Sequence, residues 1–167
     1  MDNIIIIYIL LIVLLVGFYF FYLNRIKKQN EELRENIKSG EFIYYKDFEK
    51  DWISAKLGRK GVAGYKYNDT PGCYVITIYN TPVLQDYMEY ENIYIGQSVN
   101  VCKRVHNHFN GKGNGDIYAD IKYGKFVYVR IVPCHEEEMN TLEKQLIRAF
   151  NATSSYNRTR GGGRRRY

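Results

Sequence analysis

The chain has 167 residues, a formal net charge of +6 and a hydrophobic content of 46%, yet its mean hydropathy is −0.40. The apolar residues are concentrated near the N-terminus, where 19 of the 20 residues from Ile4 to Leu23 are hydrophobic and none is charged. Because no second long apolar run exists, the composition excludes a polytopic membrane protein, and the ordinary composition of the remainder argues against a disordered chain or a disulfide scaffold.

Residues 1–24 are predicted to form an uncleaved membrane anchor. Twenty helical residues rise about 30 Å, which matches the hydrocarbon core of a bilayer. A signal peptide is the main alternative, but the N-terminal flank has no Lys or Arg and the apolar run ends in aromatic residues without a small-residue cleavage site. Since Arg25, Lys27 and Lys28 follow directly, the positive-inside rule places the N-terminus outside and the rest of the chain in the cytoplasm.

Residues 25–66 are predicted to be a juxtamembrane helical stalk and linker. The segment 25–39 is polar, with a thin apolar seam of Ile26, Leu33 and Ile37. This pattern favours a solvated extension of the membrane helix over a short coiled coil. A short amphipathic helix is predicted at 47–57, with three candidate buried positions, Phe48, Trp52 and Leu57.

Residues 67–163 are predicted to form one compact domain, followed by a basic tail at 164–167. Segments rich in β-branched and aromatic residues predict strands at 73–79, 93–95 and 126–132. Helices are predicted at 101–109, with Asn100 as the N-cap, at 116–123, and at 136–151, where three leading glutamates complement the macrodipole. The order β-β-α-α-β-α indicates a small α/β sandwich on a three-stranded sheet.

Short motifs in this domain follow a specific order. Gly72-Cys73-Tyr74 is followed by Tyr94-Ile95-Gly96, and then by an arginine, a histidine, a glutamate and an asparagine: Arg104, His108, Glu143 and Asn157. Together these motifs resemble the GIY-YIG nuclease domain over roughly 72–163. The resemblance implies an α+β fold with a mainly antiparallel sheet, and a metal-dependent endonuclease that cleaves DNA with six catalytic residues: Tyr74, Tyr94, Arg104, His108, Glu143 and Asn157.

Two features depart from the usual family pattern. Cys73 stands at the isoleucine position of the first motif, which is a change on a buried side. The two motif tyrosines are separated by 19 residues, which is wider than is usual in the family. The extra length falls in the predicted loop 80–91, where insertions are well tolerated, and where it could alter substrate preference.

Glu143 projects from the apolar face of the last predicted helix, within about one turn of Met139, Leu146 and Ile147. An unpartnered carboxylate there is costly, and a metal ion or a cationic partner would remove that cost. The resemblance implies that Glu143 binds the catalytic metal, Mg²⁺ or Mn²⁺, with waters completing the shell. A glutamate that extends to the edge of the apolar stripe is the alternative.

The remaining motif residues have chemistry that suits phosphodiester hydrolysis. Arg104 and His108 are four residues apart and share a helix face, so one can hold a phosphate while the other moves or donates a proton. We expect Tyr94 to activate water and Tyr74 to orient the phosphate, although a phenol acts as a base only when its pKa is lowered. Asn157 either ties the active-site segment together or binds near the metal.

A few further residues are candidate nucleic-acid contacts, and the alternative for each is a solvated surface. They are Lys103, His106, Lys112, Arg158 and Arg160. The arginine-rich tail that begins at Arg158 favours phosphates non-specifically, whether on nucleic acid or on anionic lipid.

These observations leave rival functions open. A catalytically inactive membrane tether that binds nucleic acid is the main alternative to the endonuclease, and a structural or signalling protein that uses the same fold is a third. The three histidines and three cysteines do not cluster at zinc-ligand spacing. Neither the oligomeric state nor the choice between DNA and RNA follows from the sequence.

Overall fold

The computed structural model of the chain describes residues 2–56, 69–83, 87–159 and 161. Helix α1 (Asp2–Lys38) is a single 37-residue helix that contains the whole apolar run and continues through the polar segment. Every residue from Ile4 to Leu23 on this helix is exposed. In the described part of the chain, α1 is the one helix long and apolar enough to cross a membrane.

The domain is built on a four-stranded antiparallel sheet. Its strands are β1 (Ile43–Tyr44), β2 (Gly72–Tyr79), β3 (Asn92–Ser98) and β4 (Phe126–Pro133), in the order β1-β4-β2-β3. The α+β class and the antiparallel sheet are confirmed. The predicted count of three strands was wrong, because the two-residue β1 pairs with the middle of β4.

Helices cover both faces of this sheet. They are α2 (Tyr45–Lys56), α3 (Val101–Phe109), α4 (Gly115–Lys122) and α5 (Met139–Ala149), with a short 3-10 helix at Ala152–Ser154. All eight residues of β2 are buried. Their side chains point alternately to the two faces of the sheet, and each face is covered by a different layer of helices. Cys73 and Val75 belong to the core beneath α5, whereas Ile76 and Ile78 belong to the core beneath α2 and α3.

The sequence predicted most element positions, with two errors at helix ends. The Asn100 side chain makes no capping hydrogen bond to the described residues, although α3 does begin at Val101. The last helix starts at Met139, so the three glutamates lie in a turn before it. Phe48 and Trp52 are buried as predicted, and Leu57 lies outside the described residues.

The end of α1 packs against α5 instead of extending freely into solvent. Ile37 is 1% exposed and lies in the core beneath α5. Arg34 donates from Nε to the Ala149 carbonyl, and Arg148 donates from Nε to Asn30 Oδ1 at 3.3 Å. The prediction of a solvated stalk was therefore wrong for these last two turns.

The long connection between β2 and β3 folds onto the same layer as α5 and α1. Its described residues include Tyr87, whose ring stacks on Phe42 at 4.7 Å, and Tyr90, whose hydroxyl donates to the Phe150 carbonyl at 3.4 Å. Tyr79 donates to the Tyr87 carbonyl at 2.6 Å. The described part of the insertion thus helps to build the core that receives the end of α1.

Candidate active site

A cleft of about 450 Å³ lies where β3, α3, α5 and the chain after α5 meet. Four predicted catalytic residues line it: Tyr94, Arg104, Glu143 and Asn157. The other two, Tyr74 and His108, are buried and hydrogen-bonded to each other. The fold therefore brings together residues that are up to 83 positions apart in the chain.

Tyr74 occupies a space that a glycine on the neighbouring strand leaves open. Tyr74 pairs with Gly96 across β2 and β3, and its hydroxyl lies 2.8 Å from Nε2 of His108. A Cβ at position 96 would overlap the Tyr74 hydroxyl. The glycine of the second motif is thus required by the tyrosine of the first motif.

The tautomer of His108 is set by the loop before α4. The backbone N–H of Asn114 donates to His108 Nδ1 at 2.7 Å. Burial lowers the pKa of His108 to about 3, and Arg104 adds to this effect, so the ring is neutral near pH 7. Since Nδ1 accepts a hydrogen bond, Nε2 carries the proton and donates it to the Tyr74 oxygen.

The two motif tyrosines have different surroundings. Burial raises the pKa of Tyr74 well above its ordinary value, Tyr94 adds to this effect and Arg104 opposes it. Tyr94 is half-buried and lines the cleft. Burial also opposes the charge on Arg104, but the neighbouring hydroxyls of Tyr74 and Tyr94 outweigh it and raise the pKa of the guanidinium, so Arg104 stays charged beside both phenols.

Glu143 is held in the wall of the cleft by a side chain from β3. Gln97 donates from Nε2 to Glu143 Oε2 at 2.9 Å, and also to Asn140 Oδ1 at 2.7 Å. Gly161 closes over the same carboxylate, because a Cβ at position 161 would lie 3.0 Å from Glu143 Oε2. A side chain at position 161 would therefore crowd this carboxylate oxygen.

This arrangement fits a magnesium-type ion. Among the residues that the structure describes, no group of three or more His, Cys, Asp or Glu could hold a metal. Mg²⁺ does not need such a cage, since it usually binds through one or two carboxylates and keeps waters and substrate phosphates as its other ligands. A single glutamate on an open cleft is consistent with that mode and does not suit zinc.

Asn157 ties the segment after α5 to β3. Its Oδ1 accepts from the backbone N–H of Ile95 at 2.8 Å, and its Nδ2 donates to the Ile95 carbonyl at 2.7 Å. The side chain therefore pairs with β3 as a neighbouring strand would, and it is 7% exposed. This geometry favours the tying role over a place beside the metal.

The candidate nucleic-acid contacts fall in several places. Arg158 lines the cleft, and its side chain is 88% exposed and 3.8 Å from Asp116. Lys103 and Lys112 are exposed but do not line the cleft. His106 faces α2, with Nδ1 2.9 Å from Glu49, and Arg160 lies outside the described residues.

Several residues of the site were not predicted, and two of them, Gln97 and Asn114, hold predicted site residues by hydrogen bonds. Gln97 could have been found, because it shares a face of β3 with Ile93 and Ile95 and must therefore point toward the last helix. Asn114 acts on His108 through its backbone N–H, which every residue except proline carries, so its type gives no signal.

Comparison with protein families supplies the identity of this domain. The model of the GIY-YIG catalytic domain matches residues 71–157, which is more than half of the chain. The chain belongs to the GIY-YIG family. GIY-YIG domains are endonuclease domains that act on DNA. The curated proteins and the solved structures gave no match.

Proposed function

We propose that this GIY-YIG protein is a metal-dependent endonuclease that hydrolyses DNA phosphodiester bonds. The observation that carries the proposal is the convergence on one cleft of a charged arginine, a tyrosine and a carboxylate, Arg104, Tyr94 and Glu143. Such a set offers phosphate binding, water activation and metal binding within one site.

Arg104 is the proposed phosphate ligand. Its guanidinium can donate two parallel N–H bonds to phosphate oxygens, and its raised pKa keeps it charged. Mg²⁺ or Mn²⁺ at Glu143 would supply further positive charge against those oxygens when bound. Gln97 orients the glutamate toward this task.

Tyr94 is the proposed general base, because it is the motif tyrosine that lines the cleft. It would accept the proton of the attacking water as the phenolate, a form that the charged Arg104 beside it and a bound metal ion would stabilise. Tyr74 is buried, and its high pKa keeps it protonated near pH 7. Because the Tyr74 oxygen accepts from neutral His108, its own proton is available for Tyr94 or for the phosphate. Tyr74 and His108 then act in positioning.

Cleavage of supercoiled plasmid by the full chain in nanodiscs tests this proposal. We expect nicking with Mg²⁺ or Mn²⁺, its loss on chelation, and its loss in Glu143→Ala. Glu137→Ala is the matched control, because Glu137 is exposed in the turn before α5 and should leave activity unchanged. Absence of metal-dependent nicking by the wild type would reject the proposal.

An inactive tether that binds nucleic acid remains the rival function. It predicts salt-sensitive DNA binding that survives Glu143→Ala, with no cleavage under any metal condition. The filled set of catalytic positions favours the enzyme. A protein that neither binds nor cleaves DNA would support a structural or signalling role.

We also propose that α1 anchors the enzyme in a membrane with its catalytic domain in the cytoplasm. Twenty exposed residues from Ile4 to Leu23 support the anchor, and Arg25, Lys27 and Lys28 support the orientation. In inverted membrane vesicles, protease added outside should digest the domain. Protection from protease would contradict the orientation, and recovery of the chain in the soluble fraction would contradict the anchor.

A further inference from the structure

A second cavity lies beside the active-site cleft. It measures about 580 Å³, and Lys144, Arg148, Thr153 and Gly161 are among its lining residues. Gly161 lines both cavities. The second cavity and the cleft therefore meet at this residue.

The second cavity carries positive charge and donors. Lys144 and Arg148 are four residues apart, so they share a face of α5, and none of the described residues that line the cavity is acidic. Lys144 is exposed and makes no ion pair with the described residues. Arg148 uses Nε for Asn30, which leaves the terminal nitrogens of its guanidinium for another acceptor.

The spacing along α5 relates this cavity to the proposed metal position. Arg148 is five residues beyond Glu143, which corresponds to a rise of about 7.5 Å along the helix axis. Lys144 directly follows Glu143 in the chain, so both cations lie within about 7.5 Å of Glu143 along the helix axis. A strand that leaves the cleft past Gly161 would reach Lys144 and Arg148 next.

We propose that the second cavity binds a backbone phosphate of the substrate strand, close to the phosphate that is cleaved. The inference rests on the proposed nuclease function and extends it to two residues outside the motifs. Lys144 and Arg148 supply the positive charge, and the Thr153 hydroxyl is a further donor. Because the contact is to a phosphate and not to a base, it contributes to the affinity for DNA and to the position of the strand, and it adds no sequence preference.

The test measures binding and cleavage by the full chain in phosphatidylcholine nanodiscs. The affinity for a duplex oligonucleotide, titrated against KCl in chelator, gives a salt slope that reports the number of phosphate contacts. For the double variant Lys144→Gln/Arg148→Gln, we expect the slope to fall by up to about two. We expect KM to rise about 10-fold, which corresponds to about 1.4 kcal/mol. We expect kcat to change less than about twofold, because the contact stabilises the bound substrate and the transition state equally.

Two controls separate this effect from charge and from packing. Lys46→Gln/Lys122→Gln removes the same charge from exposed positions on α2 and α4 and should change the slope and KM less. Asn30→Ala removes the bond to Arg148 but keeps both cations, and it should behave as wild type in binding. Equal unfolding midpoints in all variants establish that each is folded.

Several outcomes would overturn the proposal. An unchanged slope and KM in the Lys144→Gln/Arg148→Gln variant, with an active wild type, would reject the phosphate site and leave the nuclease function intact. An effect that appears only in nanodiscs containing phosphatidylserine would assign the cavity to a lipid headgroup. A wild type that neither binds nor cleaves DNA would reject both proposals, whereas one that binds without cleaving would reject only the enzyme.

Discussion

Gln97 links the sheet to the proposed metal-binding glutamate. Its amide donates to both Glu143 and Asn140, so one β3 side chain fixes the direction of the carboxylate on α5. Partners of this kind orient metal ligands, and their loss commonly costs 10–100-fold in metal affinity or activity. The glutamine is thus a positioning residue for the proposed metal site.

Removal of this partner should change the metal requirement of the enzyme. For Gln97→Ala we expect the Mg²⁺ concentration at half-maximal cleavage to rise about 10-fold, with much less change in kcat at saturating metal. Gln145→Ala, at an exposed position on α5, is the matched control. An unchanged Mg²⁺ titration in Gln97→Ala would show that the hydrogen bond does not orient the carboxylate.

His108 gives the domain a dependence of stability on pH. Its pKa is about 3 in the folded protein and about 6.5 when unfolded, so the unfolded state binds more protons between these values. The stabilisation is fully present above pH 6.5 and is lost as the pH falls toward 3. At pH 5 the loss should be about 2 kcal/mol.

Unfolding measurements at pH 7 and pH 5 check this prediction. His108→Gln removes the titrating group, so its stability should fall less on acidification than that of the wild type. His135→Gln, at an exposed position, should retain the wild-type dependence. Equal pH dependence in His108→Gln and wild type would contradict the account of a buried neutral imidazole.

The site could be predicted from sequence only where residue type carries the chemistry. Arg104, Glu143 and the two motif tyrosines converge as the motifs suggested. The tautomer of His108 could not be predicted, because it depends on a backbone N–H from Asn114, whose position relative to the ring is set by the three-dimensional path of the loop.

At the scale of elements, the contact between α1 and α5 joins the apolar helix to the catalytic domain. Ile37, which lies on α1, is buried, and the Arg34 guanidinium lies 5.8 Å from the centroid of the Phe150 ring. The same α5 carries Glu143 toward the cleft. Packing contacts therefore link the apolar helix to the helix that carries the proposed metal ligand.

Truncation of this contact should destabilise the domain. Ile37→Ala removes a fully buried side chain and should lower the free energy of unfolding by about 2–5 kcal/mol. Asn36→Ala, at the exposed neighbouring position, should cost far less. Guanidinium unfolding of the full chain, followed by the fluorescence of its single Trp52, measures the difference, and equal midpoints would indicate that the contact contributes nothing.

The elements that sequence predicted well are those with a strong periodic pattern. The amphipathic α3 was placed at its observed bounds, and the buried β2 within one residue. β1 has two residues, which is too short to show a period. The packing of α1 was missed because its seam of Ile26, Leu33 and Ile37 is too thin to identify a partner.

For the whole molecule, the apolar helix and the GIY-YIG domain are separate in composition but joined in structure. Residues 1–23 contain one charged side chain, Asp2, so the remainder carries +7. Arg148 contacts Asn30, seven residues or about 10 Å of helix beyond Leu23. If α1 spans a membrane, as we propose, part of the basic domain lies about 10 Å from the membrane surface. The proposed DNA substrate would then have to reach that surface.

This connection predicts where a soluble fragment can begin. A fragment of residues 24–167 keeps the contacts of Asn30, Arg34 and Ile37, so it should be soluble and should unfold cooperatively. A fragment of residues 40–167 exposes the apolar surface that Ile37 covers, and it should bind a hydrophobic dye and unfold at a lower temperature. Equal dye binding and unfolding temperatures for the two fragments would contradict the role given to α1.

The central claim is that Glu143 supports metal-dependent hydrolysis of DNA in the cleft. Its most direct test is the rate of plasmid nicking by the full chain over a Mg²⁺ titration, for wild type and Glu143→Ala. Loss of several kcal/mol of charge stabilisation predicts a fall of about 100-fold or more at every Mg²⁺ concentration. Equal rates for the two proteins, or nicking by the wild type that persists in chelator, would contradict the claim.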